Sequence, residues 1–167
     1  MLRFKSLVLF LLFGIIVSIG VADEPITQGN IQSAVNLWIS NPSEAEATYG
    51  HIESWDVSAV TNMNNLFLNR NTFNEDLGDW DVSNVTSMNQ MFRNAKAFNQ
   101  DLNDWDVSNV TNMGAMFASS DNPGFNGNIS NWDVGNVTNM SEMFRYATKF
   151  NKDISGWDVS SVTNMNL

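Results

Sequence analysis

Five aspartates at one recurring position, Asp56, Asp81, Asp106, Asp133 and Asp158, are the residues of this chain best placed to do chemistry. Carboxylates at a fixed interval supply the oxygens that calcium seeks, about six to eight per ion. A pair of them in unlike surroundings would also serve as the acid and base of a glycoside hydrolase. A second polar position, Asp76, Asp101, Asn128 and Asp153, lies close to the first in each unit and would add oxygen ligands. The expectation for metal and for catalysis is nevertheless none. The chain lacks the glycine-rich calcium loop of other repeat architectures, and a column that repeats one environment does not set two carboxylates apart. Calcium on the five aspartates stays as a secondary reading, and a secreted glycoside hydrolase as a weaker one.

The aspartates recur because a whole phrase recurs: Trp-Asp-Val-(Ser/Gly)-x-Val-Thr-(Asn/Ser)-Met, beginning at Trp55, Trp80, Trp105, Trp132 and Trp157 with spacings of 25, 25, 27 and 25 residues. Repetition at this period marks a stack in which each unit buries its apolar face against its neighbours. In Leu77-Gly-Asp-Trp80-Asp-Val82 the Trp and Val are two apart, which predicts a strand with both on the buried face and Asp81 on the other. Met88, Met91 and Phe92 then fall at helical spacing behind Thr86-Ser87, which predicts a short helical turn. The expected fold is an α/β repeat solenoid, a leucine-rich-repeat-like stack of strand-plus-short-helix coils with an N-terminal helical cap. A right-handed parallel β-helix is the alternative.

In such a stack the aspartates of adjacent coils stand about 4.8 Å apart and repel by roughly 0.8 kcal/mol in water. Serine and threonine hydroxyls, turn amides, cations or solvent must offset this. The tryptophans read as a stacked aromatic core and not as a sugar-binding platform. Asn74, Asn99, Asn126 and Asn151 each follow a Phe at a coil corner, where an asparagine ladder onto neighbouring backbone is expected. The sequons at Asn84, Asn109, Asn128, Asn136 and Asn139 are by-products of the repeated phrase.

The ends differ from the repeats. Residues 1–22 carry Arg3 and Lys5, an uncharged run from Leu7 to Gly20 and a small residue at Ala22, the pattern of a secretory signal peptide. No second long apolar stretch follows, so no transmembrane span is expected once the leader is removed. Without it the chain keeps all 18 acidic residues but six of its eight basic ones, a formal charge near −12. That surface disfavours nucleic acid. With no Cys and one His, His51, a zinc site or a thiol nucleophile is all but excluded, and His51 reads as structural. Residues 23–50 form the expected helical cap, with Ile31, Ala34, Val35 and Trp38 on one stripe and Ser43-Glu44-Ala45-Glu46 as a capping box. Residues 51–167 form four complete coils and a truncated fifth. The uncovered edge of that last coil invites end-to-end self-association.

With the phrase F-N-x-D-[LI]-x-x-W-D-V-S-N-V-T-N-M-x-x-M-F standing almost verbatim at 73–92 and 98–117, the chain resembles the BspA-like group of bacterial surface proteins and lipoproteins with 25–26-residue repeats. The resemblance implies a secreted or cell-surface location, adhesion or protein interaction, and no catalytic residues or cofactor. Unlike the lipoprotein members, the chain has no cysteine to lipidate. The expected function is therefore non-enzymatic: an acidic surface protein presenting a binding face to a protein or glycan. The alternative is a structural spacer within a longer surface protein. Residues 68–72, 93–97 and 118–124, the stretches that differ most between units, are the candidate contact surface.

Overall fold

In the computed structural model, which describes residues 4–10, 16–120 and 124–166 and side chains from residue 23 onward, the repeats form neither helices nor strands. Strand β1 (Phe4–Phe10) pairs antiparallel with β2 (Ile16–Ala22), Phe4 opposite Ala22. This hairpin falls in the segment read as a leader, of which residues 1–3 and 11–15 lie outside the described residues. Helices α1 (Ile31–Ser40) and α2 (Pro42–Tyr49) follow, then a 3-10 turn at Ile52–Ser54. Beyond that turn, regular pairing among the described residues is limited to single parallel bridges: Asn62 with Ser87, Ser87 with Asn112, Asn112 with Asn139, and Asn139 with Asn164.

The strand-plus-helix solenoid and the parallel β-helix are both corrected by this finding. Each coil is instead a string of tight turns closed between its own apolar residues. In the second coil Trp80 N–H donates to the Leu77 carbonyl, Val85 to Val82, Met91 to Met88, Ala95 to Phe92 and Phe98 to Ala95. The buried side chains thus sit at the first and fourth positions of turns, which turns them inward together. The interval of three that reads as a helix face is the span of a turn.

Helices fail here for a steric reason. The Phe67 and Phe92 rings stack at 5.2 Å, and Phe92 and Phe117 at 5.8 Å. Packed helices need about 8–10 Å between axes, so a helix in every coil would force the coils apart. The segment lends alternate amides to its neighbour instead: Met63, Asn65, Phe67 and Asn69 N–H donate to the carbonyls of Ser87, Asn89, Met91 and Arg93. That arrangement requires left-handed backbone at intervals, at Asn65, Gln90, Ala115 and Glu142 in one register and Asn69, Asn94 and Tyr146 in another.

Aromatic columns fill the interior. Trp132 stacks on Trp105 at 6.3 Å and on Trp157 at 6.2 Å. A Phe pair within each coil, such as Phe92–Phe98 at 4.0 Å, repeats beside it. Stacked pairs of this kind contribute about 0.5–1.5 kcal/mol each beyond the area they bury.

The leading helices complete the first coil. Ile31, Ala34, Val35 and Trp38 of α1 are buried, at the spacing read from the sequence. The α2 cap is displaced from the expected Ser43 to Asn41, whose side chain accepts from Glu44 N–H and donates to the Glu44 carboxylate, with Pro42 in the first turn. Pro42 has no N–H to leave unpaired, which suits that place. Gly50 closes the helix at φ 84°, a conformation open to glycine.

Candidate interaction surface

The aspartate column is exposed, and its carboxylates are engaged in their own turns. Asp56 Oδ1 accepts from the Ser58 hydroxyl at 2.6 Å and the Ser58 amide at 3.1 Å. Asp81 does the same with Ser83, and Asp106 with Ser108. Asp133 accepts from Gly135 N–H and Asp158 from Ser160 N–H. The serine hydroxyl, then the serine amide, holds Asp56, Asp81 and Asp106 below the ordinary carboxylate value. For Asp158 the Ser160 amide leads. Repulsion from Asp81 acts on Asp56 and Asp106 in the opposite sense, as the smallest contribution. At Asp56 and Asp106 local turn bonds therefore outweigh repulsion from the neighbouring coil.

The second polar position is also occupied with backbone. Asp76 accepts from Gly78 N–H, Asp101 from Asn128 N–H, Asn128 from Ser130 N–H and Asp153 from Ser155 N–H. At the corners, Asn74 Oδ1 accepts from Asn99 N–H at 2.8 Å, Asn99 from Asn126 at 2.7 Å, and Asn126 from Asn151 at 3.0 Å. Trp55 donates its indole N–H to the Gly50 carbonyl, and Trp80, Trp105, Trp132 and Trp157 donate theirs to a carbonyl of the preceding coil.

Two further ladders escape the sequence reading. Asn84, Asn109 and Asn136 donate their amides to the carbonyls of Ser58, Ser83 and Ser108. Thr86, Thr111, Thr138 and Thr163 hydroxyls each donate to the threonine carbonyl one coil earlier. Their signal was recurrence of Thr in all five units and of Asn in the middle three, which a local motif reading hides.

The segments between the phenylalanines are built differently. Between the two phenylalanines of each coil the side chains change from unit to unit, and five of the six basic residues beyond residue 22 fall there: Arg70, Arg93, Lys96, Arg145 and Lys149. Arg93, Asn94, Glu142, Arg145 and Tyr146 line an open cavity of about 170 Å³. The Arg145 guanidinium lies 5.0 Å from the exposed Tyr146 ring and 3.0 Å from the Glu142 carboxylate. Residues 121–123 of the third variable segment lie outside the described residues. At the far end, Val159 and Met165 are exposed and line an apolar cavity of about 230 Å³ with Met140, Met143 and Trp157.

Repeated acidic turns, variable loops and a stacked aromatic interior define a tandem-repeat protein of stacked turns. The chain belongs to the family described as "Mycoplasma protein of unknown function, DUF285", which matches residues 39–123 and 120–167. Neither the curated proteins nor the solved structures contain a match to it. Among the described residues no helix is long and apolar enough to cross a membrane.

Proposed function

We propose that this is a secreted or cell-surface protein, exported by the leader at residues 1–22, whose variable edge binds a protein or glycan bearing anionic groups. The observation that carries this reading is the contrast between edges. The aspartate edge uses its side chains to close turns, whereas the variable segments at 68–72 and 93–97, with residues 145–149 of the fourth coil, hold five of the six basic residues beyond residue 22. The variable segment at 118–124 holds none. Arg93 and Arg145 share one cavity of a strongly acidic molecule, a place where an anion is attracted. The repeated phrase supports the finer assignment to the BspA-like surface proteins, and with it a role in adhesion.

The reading is non-enzymatic. Asp56, Asp81 and Asp106 are all pulled below the ordinary value by the same bonds, whereas acid–base hydrolysis needs two carboxyls driven apart.

The test is binding of the full chain to an array of sulfated, sialylated and neutral glycans and to immobilised extracellular-matrix proteins. Binding to anionic ligands that is lost in R93A/R145A and kept in D81N supports the proposal. Binding that survives R93A/R145A, or the lack of any, overturns it in favour of a spacer.

A further inference from the structure

A second site stands apart from that edge, where the helical lead-in meets the first coil. Donor atoms of His51, Glu53 and Glu75 all lie within 4.8 Å of one another. We infer that these three residues form a site for a divalent transition ion of the zinc class.

What separates this cluster from the aspartate column is an imidazole and two disengaged carboxylates. The column aspartates are occupied by serine and backbone donors. Glu53 and Glu75 accept no hydrogen bond among the described residues, and His51 Nδ1 is 3.7 Å from the Glu53 carboxylate, too far for one. Imidazole nitrogen and carboxylate oxygen are both donors that zinc accepts, and three of them leave a fourth position for water. Calcium is disfavoured because it takes oxygen donors in larger number.

The surroundings hold the ligands in place. The His51 carbonyl accepts from both the Ser54 amide and the Ser54 hydroxyl at 2.9 Å, which fixes the backbone at the site. Its ring stands edge-on to Trp38 at 4.8 Å and 81°. Glu75 is flanked by Asn74, bonded to the next coil, and Asp76, bonded to Gly78. Zinc bonds of about 2.0–2.2 Å bring donors to roughly 3.4 Å apart, so the side chains must close inward. Both His51 and Glu53 are exposed enough to do so, at 43% and 52%. Glu53 also lines an open groove of about 440 Å³ with Asp56, Asp79 and Asp81, whose field draws cations toward the site.

The experiment is calorimetric titration of the full chain with zinc at neutral pH in the presence of excess calcium, followed in parallel by tryptophan fluorescence with nickel, since Trp38 adjoins the imidazole. One equivalent of zinc should bind despite the calcium. H51Q and E75Q should each weaken binding by about tenfold or more, with metal-free melting curves like that of the parent. Nickel should quench fluorescence in the parent and not in H51Q. Zinc binding that is equal in H51Q, displaced by calcium, or absent at millimolar metal overturns the site. If H51Q alters the metal-free melt, E75Q alone decides.

Discussion

Trp105 reaches back one coil to donate its indole N–H to the Leu77 carbonyl at 2.8 Å. The same carbonyl already accepts the amide of Trp80 at 3.1 Å. One oxygen therefore closes a turn within its coil and fastens the next coil to it, and the Ile52 and Leu102 carbonyls repeat the arrangement.

Replacing Trp105 by Phe removes that bond and part of a buried ring. The expected loss is about 2 kcal/mol, read as a lower denaturant midpoint with an unchanged slope.

The leading segment supplies a stand-in for a missing coil. Gln28 Oε1 accepts from the amides of Thr61 and Asn62, and its Nε2 donates to the Asn62 carbonyl. One helical turn on, Gln32 donates to the Leu66 carbonyl. Gln28→Ala should cost about 1–3 kcal/mol and raise hydrogen exchange first at Thr61 and Asn62.

Acid should loosen the stack through the turn aspartates. A carboxyl whose folded value is depressed contributes stability that is present above its unfolded value, near about 3.9, and lost as pH falls through its folded value. Asp56, Asp81, Asp106, Asp153 and Asp158 all shift downward. The melting temperature should hold from neutral pH to about 5 and fall steeply below about 4. Ser83→Ala should shrink that fall.

Gly127→Ala should be among the most damaging single changes in the third coil. A Cβ there would lie 2.0 Å from the Gln100 carbonyl oxygen. The backbone must shift, at about 3 kcal/mol, measured by thermal melting.

Much of this fold was legible in the residues. The five-fold phrase gave the register, and alternation of Trp with Asp placed the aromatic column inside and the carboxylates outside. What was not legible was the local conformation. Trp80 and Val82 two apart read as a strand, and Met88, Met91 and Phe92 as a helix. Both periods arise equally from turns whose end residues point inward, and a neighbour 25 residues away decides where each amide goes. The candidate metal site was hidden similarly: His51 and Glu75 are 24 residues apart, and only the stacking brings them together. The second helix cap was misplaced because Ser43 and Glu46 matched the capping-box spacing, while Asn41 and Glu44 matched it equally well and had Pro42 between them.

The bonds between coils run along the stack, so tension on its two ends loads them one coil after another rather than all at once. Each coil that peels away returns roughly 85 Å of chain. Pulled singly, the molecule should give a sawtooth of evenly spaced, low-force steps. On a surface exposed to flow, that would make it a yielding tether, lengthening by instalments and recoiling when the load is released.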